Sequence, residues 1–340
     1  MLAGKLAGTN IFVRTSAQAV RGYTMSLYHL GPHDRHPAQR SLRQPAKEKP
    51  MILITGASGT VGRAVLDEMR KSSRAFRAMY RGEEDARKAP GGVTAIVGDF
   101  ADRESLRRSL DGVETLFLVC SPIPQLVELE SNVIDASREK GVKHMVLNSA
   151  LGAGDYTKSF PSWHRQVEDK LKASGLAYTI LRPNGFMQNI VAYNAPSIRA
   201  EGAFYAAMGS AKISLIDVRD LGAAAANALS QRGKHAGKIY ELNGPEAVTN
   251  EEIAARISRT TGRQVKYVDI PAAAQRKAML DTGMPEWQVN ALLELQEYYV
   301  SGKCAGPSDT LASLLGHAPR RLDPFLEENK DSFRSQAATA

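Results

Sequence analysis

Short apolar runs alternate with amphipathic stretches along the chain from Met51 onward. Short apolar runs are typical of buried strands, and an apolar residue at every third or fourth position is typical of helices packed on a sheet. Strands are predicted at 51–55, 76–80, 93–97, 115–120, 143–148 and 177–181. Helices are predicted between them at 61–71, 103–110, 126–140 and 163–173. This order predicts an α/β protein with a Rossmann-type, doubly wound parallel sheet.

The pattern changes after Pro183 and becomes mainly helical. Helices are predicted at 218–229, 250–261, 272–282, 285–300 and 309–315, with strands at 238–242 and 264–270. Asp217 precedes the first of these helices, and Thr249 or Asn250 can cap the second. We therefore expect four segments, namely a basic leader (1–49), an NAD(P)-binding domain (50–183), a smaller substrate-binding lobe (184–333) and a tail (334–340).

Most of the positive charge lies in the leader. The chain has a formal charge of +8, and residues 1–49 contain eight Lys or Arg but only two acidic residues. This composition is typical of an organelle transit peptide. Because Met51 stands at the start of the first predicted strand, we favour an extension from a misassigned start, or a disordered tail. The expected location is cytoplasmic, with the mitochondrial matrix as the alternative if the leader is a transit peptide.

Composition excludes several other classes. The 340 residues are 43% hydrophobic and mean hydropathy is −0.29, which is typical of a globular protein. The nearly neutral body argues against a nucleic-acid surface, and the lack of a run of about 18 apolar residues argues against a membrane span. Cys120 and Cys304 are the two cysteines and show no metal-ligand spacing, so we expect no metal and two free thiols, although a disulfide stays open.

A glycine-rich turn follows the first predicted strand and opens the first helix. Its glycines have the spacing G-x-x-G-x-x-G, which lets the backbone turn tightly and bring helix N–H groups to a pyrophosphate. This strand–turn–helix context predicts a dinucleotide site. The residues of the turn are Gly56, Ala57, Ser58, Gly59, Thr60, Val61 and Gly62.

The residues after the next two strands indicate which dinucleotide binds. Arg81 follows the second strand at the position where an NAD site usually has a carboxylate, so we expect NADP(H), with NAD(H) possible. Asp99 and Phe100 follow the third strand, where an adenine would lie. Asp99 can accept a hydrogen bond from the adenine amino group, or it can cap the helix at 103–110. Asp102 competes for that cap.

Three further segments carry a family resemblance. They are Val119-Cys120-Ser121-Pro122, Asn148-Ser149-Ala150 and the stretch 178–189. With the glycine turn, they resemble the NmrA-like atypical short-chain dehydrogenase/reductases over about residues 51–333, and most of all the NAD(P)H-dependent quinone, azo-dye and triphenylmethane-dye reductases. The resemblance implies four more cofactor-binding residues, Val119, Cys120, Ser121 and Asn148.

The same reductases share a His-x-x-x-Glu pattern, here His164 and Glu168. The Tyr-x-x-x-Lys pair of other short-chain dehydrogenases is missing from this stretch, which weakens the case for alcohol oxidation. His164 and Glu168 lie four residues apart on a predicted helix and can pair, with His164 as proton donor; a structural hydrogen bond is the alternative. Ser149 can bind a substrate or cofactor oxygen, or it can cap a strand end. The predicted catalytic residues are thus His164, Glu168 and Ser149.

The predicted substrate residues are Phe186, Met187 and Asn189, with core packing as the alternative for the first two. We expect an NAD(P)H-dependent reductase that transfers a hydride to a small conjugated acceptor such as a quinone, an azo or triphenylmethane dye, or an enone. The alternative is a non-catalytic NADP(H)-binding redox regulator. The expected partner is a small molecule, with neither nucleic acid nor membrane, and the chain is expected to be a monomer or a homodimer.

Overall fold

The computed structural model describes residues 51–334. Nine strands lie in this part of the chain: β1 Met51–Ile54, β2 Phe76–Tyr80, β3 Thr94–Val97, β4 Val113–Leu118, β5 His144–Asn148, β6 Ala177–Pro183, β7 Ala203–Ala206, β8 Lys238–Leu242 and β9 Lys266–Asp269. Seven of them form one sheet in the order β3-β2-β1-β4-β5-β6-β8, and every neighbouring pair is parallel. The predicted Rossmann-type sheet is confirmed.

Thirteen α-helices connect and cover the strands over the same residues. They are α1 Thr60–Met69, α2 Glu83–Arg87, α3 Arg103–Ser109, α4 Leu126–Glu139, α5 Ser159–Ala173, α6 Ala195–Glu201, α7 Val218–Ser230, α8 Arg232–His235, α9 Asn250–Thr261, α10 Ala272–Asp281, α11 Glu286–Val300, α12 Asp309–Leu315 and α13 Leu322–Glu328. A π-helix spans Ile190–Asn194 and a 3-10 helix spans Lys330–Phe333.

The side of the sheet to which successive strands are added changes between β1 and β4, although all strands are parallel. The first three strands run outward from β1 on one side, and β4, β5 and β6 run outward on the other. Such a change of side separates two connecting loops at the carboxyl edge and opens a crevice there, where ligands of this fold bind. Both faces of the sheet are covered by buried apolar side chains, so the strands are apolar almost throughout.

The predicted boundary after residue 183 is wrong for two elements. β8 was assigned to the second lobe, but it pairs with β6 as the seventh strand of the main sheet. α7 also belongs to this layer, because it packs closely on α1. Sequence periodicity predicts that a strand exists but does not identify its partner, so the chain's return to the sheet was missed.

The rest of the second lobe has its own apolar core. Phe204 on β7 and Ile198 on α6 are fully or almost fully buried in it, and β7 pairs in parallel with β9 as a separate two-stranded sheet. Most of the predicted second lobe therefore contributes to a cluster of buried residues separate from those of the main sheet. Thr249 caps α9 through a capping box, and Asp217 caps α7.

The remaining expectations concern the chain termini, membrane spans, metal sites and the two cysteines. The leader 1–49 and most of the tail lie outside the described residues. No helix within residues 51–334 is long and apolar enough to cross a membrane. The same residues contain no cluster of three potential metal-ligating His, Cys, Asp or Glu side chains. Cys120 and Cys304 are both free thiols.

Gly222 allows the close approach of α7 to α1. A Cβ at Gly222 would lie 2.5 Å from the backbone oxygen of Ala64, and backbone cannot rotate away as a side chain can. We expect Gly222→Ala to lower the free energy of unfolding by about 1–3 kcal/mol, because the two helices must separate. Gly233→Ala on α8 is the control, since a Cβ there meets nothing within 4 Å. Chemical denaturation measures both variants, and equal stability would contradict this packing.

Candidate functional site

A cleft of about 680 Å³ opens at the carboxyl edge of the main sheet. Its wall contains most of the residues that the sequence predicted for the cofactor and acceptor. These are Gly56, Ser58, Gly59, Thr60, Val61, Gly62, Arg81, Asp99, Phe100, Val119, Cys120, Ser121, Phe186 and Asn189. The fold therefore brings the ends of β1, β2, β3, β4 and β6 together around one cavity.

The backbone of the glycine turn lines the cleft and leaves no room for side chains at two of its positions. Gly56 has a φ of +60°, and a Cβ there would lie 2.7 Å from Cγ1 of Val119. At Gly62 a Cβ would lie only 2.0 Å from the carbonyl oxygen of Gly56. Gly56 is required for its backbone conformation and for lack of space, and Gly62 for lack of space alone.

The N-terminus of α1 is open to a bound anion. Gly59 is its N-cap and supplies no side-chain oxygen, and the first turn contains no acidic residue. The first N–H groups of a helix have no partner within it, and their positive end favours negative charge. A pyrophosphate fits this arrangement, because the loop leaves room where a Cβ would stand and the helix supplies the donors.

Arg81 directly follows β2 and lines the cleft there. Its side chain is exposed and lines the cavity together with Asp85. Within residues 51–334 no carboxylate lies within ion-pair distance of its guanidinium. An unpaired arginine beside the glycine turn suits a ribose 2′-phosphate, which a carboxylate at this position would repel.

The structure separates the two roles that were open for Asp99. Asp102 is the N-cap of α3, because its side chain accepts hydrogen bonds from the backbone N–H groups of Glu104 and Ser105. Asp99 instead accepts from the N–H of Ala101 at 2.9 Å and lines the cleft with Phe100. The capping alternative for Asp99 is therefore wrong, and its position is compatible with contact to an adenine.

The three predicted catalytic residues do not line this cleft. Ser149 and His164 are buried, and no hydrogen bond joins His164 to Glu168 in the described part of the chain. Burial lowers the pKa of His164 to about 4, against a small opposing effect of Glu168, so the imidazole is neutral near pH 7. A buried, neutral histidine outside the cleft is not placed to act as an acid toward a ligand there.

Glu168 belongs instead to a buried ion-pair network. Its carboxylate accepts hydrogen bonds from Arg182 Nε at 2.8 Å and Nη2 at 2.7 Å, from Ser149 Oγ at 2.7 Å and from Lys172 Nζ at 3.1 Å. Burial raises the pKa of this carboxyl, but these donors outweigh it and hold the pKa below its usual value. The network ties α5 to the ends of β5 and β6, which is a structural role.

Three other predicted residues lie behind the cleft wall. Ala57 is buried and its N–H donates to the carbonyl of Met79, and Asn148 is buried at the end of β5. Met187 lies in the core of the second lobe, and its N–H donates to the carbonyl of Ile216. The core-packing alternative therefore describes Met187, whereas Phe186 both lines the cleft and packs against the core of the sheet.

Comparison with known proteins agrees with this geometry. Residues 48–329 match the NmrA-like family. The chain belongs to this family. An NAD(P)H azoreductase of Xenophilus azovorans is 34% identical over 285 residues, covering 83% of this chain and 99% of that relative. Quinone oxidoreductase 2 of Escherichia coli strain K12 is 34% identical over 276 residues, covering 80% and 96%.

A solved relative extends the NmrA-like assignment to the tertiary structure. The NADPH-dependent quinone oxidoreductase of Escherichia coli, crystallised with NADPH, aligns with a TM-score of 0.77 and 32% identity. The alignment covers 82% of this chain and 99% of that one. The predicted family resemblance is thus confirmed in both sequence and fold.

Sequence reasoning missed part of the cleft of this NmrA-like chain. Pro122 and Ile123 line it after β4, and Gln188, Ala192 and Tyr193 line it after β6. Gln188 lies between Met187 and Asn189, which were predicted substrate residues, so its place in the sequence already indicated a position at the cleft. Ala192 and Tyr193 lie in the π-helix, whose spacing matches neither a strand nor an α-helix, and no periodicity signal could have found them.

Glu130 is a buried acid next to the cleft that the sequence did not single out. It lies on the inner face of α4, is fully buried, and neither carboxylate oxygen has a hydrogen-bond partner within residues 51–334. Burial raises its pKa to about 8, and the nearby backbone N–H of Cys120 offsets this only in part. Burial likewise raises the pKa of the Cys120 thiol to about 12. Both groups are neutral near pH 7, so this part of the wall is uncharged.

The raised pKa of Glu130 makes a testable prediction for stability. The folded protein keeps this proton up to about pH 8, whereas the unfolded chain loses it near pH 4.5, so stability falls as pH rises between these values. The slope reaches about 1.4 kcal/mol per pH unit. We expect the free energy of unfolding of the unchanged protein to fall relative to that of Glu130→Gln between pH 5 and 8. Exposed Glu128→Gln on the same helix is the control, and parallel pH curves for the unchanged protein and Glu130→Gln would refute this assignment.

Proposed function

We propose that this chain is an NADPH-dependent reductase that transfers a hydride to a small conjugated electrophilic acceptor such as a quinone, an azo or triphenylmethane dye, or an enone. One observation carries the proposal: a single cleft joins the glycine turn and an unpaired Arg81 to apolar side chains of the loops that follow β4 and β6. The names of the relatives, an azoreductase and quinone oxidoreductases, favour this function over a regulator without turnover.

The proposed roles of the cleft residues follow from their positions. The N–H groups at the start of α1 hold the pyrophosphate, Arg81 pairs with the 2′-phosphate, and Asp99 contacts the adenine. Val119, Cys120 and Ser121 follow β4 and support the cofactor toward the mouth. When bound, the cofactor supplies a hydride from C4 of its nicotinamide, which, with one proton, reduces a quinone to a hydroquinone and leaves NADP⁺.

The proton that accompanies the hydride does not require a protein acid. A conjugated acceptor that takes a hydride delocalises the negative charge, and water can then protonate it. This agrees with the positions of His164 and Glu168 outside the cleft. The protein contributes by orienting cofactor and acceptor, which lowers the entropic part of the barrier.

We propose no further class of partner. The nearly neutral body supports a small-molecule substrate rather than nucleic acid or a membrane, and we retain the monomer or homodimer and the cytoplasm as proposals. A mitochondrial matrix location remains the alternative.

The first test is oxidation of NADPH and NADH, followed at 340 nm, with the purified full-length chain and a panel of quinones, azo dyes, triphenylmethane dyes and enones. We expect turnover with at least one conjugated acceptor and a higher kcat/KM with NADPH than with NADH. Tight NADPH binding without turnover on any acceptor would instead favour the redox regulator.

The cofactor preference is tested at Arg81. Arg81→Ala removes a charge-assisted contact to the 2′-phosphate, for which a loss of about 1.5–3 kcal/mol is typical. We expect the Kd for NADPH to rise about 10- to 100-fold and the Kd for NADH to change little. Arg87→Ala on α2 is the matched control, because this arginine is exposed and does not line the cleft. Equal weakening of both cofactors by Arg81→Ala would disprove the 2′-phosphate contact.

A further inference from the structure

Tyr193 is an exposed aromatic residue inside the cleft. It is 60% exposed, the highest value among the large hydrophobic side chains of the described chain. It also lines the same cavity as the glycine turn. An aromatic ring buries a large apolar area when it is covered, so leaving one open at a binding cleft favours contact with an apolar ligand.

The π-helix Ile190–Asn194 holds Tyr193 in this position. Residues five apart lie on the same side of a π-turn, whereas an α-helix would place them on different sides. Ile190 and Ala195, which are five apart, are both buried in the core of the second lobe. Ala192 and Tyr193, between them, line the cleft. The wide turn thus anchors its two ends in the core and presents the tyrosine to the cavity, and π-turns occur frequently at functional sites.

The segment before the π-helix is also held in place. The side-chain oxygen of Gln188 accepts a hydrogen bond from the N–H of Val218 at 3.0 Å, and its amide nitrogen donates to Asp217 at 3.0 Å. Asp217 is fully buried and caps α7. The approach to Tyr193 is therefore fixed to the main sheet layer.

The loops after β4 and β6 contribute apolar side chains to the cleft, beside the polar Ser121, Gln188 and Asn189. Pro122 and Ile123 line the cleft in the loop after β4, while Phe186 and Tyr193 line it after β6. β4 and β6 flank β5 in the sheet, so these two loops leave its carboxyl edge on either side of β5. A ligand between them meets apolar surfaces from both loops, and the ring face of Tyr193 suits a flat, conjugated molecule.

We propose that Tyr193 is the aromatic platform on which the conjugated ring of the acceptor stacks, and that it sets a preference for fused-ring over single-ring acceptors. This inference rests on the proposed reductase function. Stacking depends on the ring rather than on the hydroxyl, so phenylalanine replaces tyrosine and alanine does not. Aromatic stacking contributes about 0.5–1.5 kcal/mol beyond the buried area, which grows with the size of the acceptor.

The first experiment measures acceptor binding without turnover. Protein loaded with NADP⁺ cannot reduce the acceptor, so quenching of tryptophan fluorescence reports the Kd of a 1,4-naphthoquinone and of the correspondingly substituted 1,4-benzoquinone. We expect Tyr193→Ala to raise the Kd of the naphthoquinone about 10-fold and that of the benzoquinone about 3-fold. Tyr193→Phe should keep both values within about 2-fold of the unchanged protein. The control is Tyr205→Ala, because Tyr205 is 42% exposed but lies on β7 and does not line the cleft.

Kinetics with NADPH then separates the two proposals. We expect Tyr193→Ala to raise KM for the naphthoquinone with little change in kcat, since the platform binds the acceptor before and during hydride transfer. Quinone binding that Tyr193→Ala weakens selectively, without any NADPH oxidation by the unchanged protein, would refute the reductase function but leave the platform intact. If the unchanged protein oxidises NADPH with quinones but Tyr193→Ala leaves the ratio of the naphthoquinone Kd to the benzoquinone Kd unchanged, the platform is refuted. The platform is also refuted if the unchanged protein binds neither quinone.

Discussion

The close approach of α1 to the glycine turn determines most of the architecture of this cleft. With only hydrogen at Gly62, the backbone of α1 lies so near the Gly56 carbonyl that any Cβ would collide with it. This contact fixes where the helix begins, and therefore where its unpaired N–H groups point. The same helix packs against α7 at Gly222, so the position of the glycine turn is also tied to that helix.

The two ends of the cleft differ in what holds them. The proposed cofactor end consists of the glycine turn and of residues that directly follow buried parallel strands, so its geometry is set by the sheet itself. The proposed acceptor end consists of two loops and a π-helix, whose position depends on contacts with the second core and with Asp217. In general, binding residues on loops held by a rigid scaffold let one fold accept different substrates by changing few residues.

Burial explains why the His-x-x-x-Glu pattern does not form a reaction centre in this structure. The Glu168 carboxylate is almost fully buried, and such a charge must be compensated by close donors. Arg182, Ser149 and Lys172 provide them. The contacts of Glu168 with Arg182 and Ser149 hold α5 against the sheet, whereas its contact with Lys172 lies within α5. His164 lies on the same helix but remains neutral, because nothing near it compensates a positive charge well enough.

The sequence by itself determined most of the helices and strands along the chain, the glycine turn, the arginine after β2 and the family, because each is expressed in local spacing or short motifs. Asp99 and Asp102, the two candidates for the N-cap of α3, are also close in sequence, although only the hydrogen bonds of the structure show which of them caps the helix. Tertiary structure alone decided that β8 returns to the main sheet, that Glu168 pairs with Arg182, and that Tyr193 faces the cleft. These depend on contacts between residues far apart in the chain, and a local pattern contains no information about which distant surface will cover it.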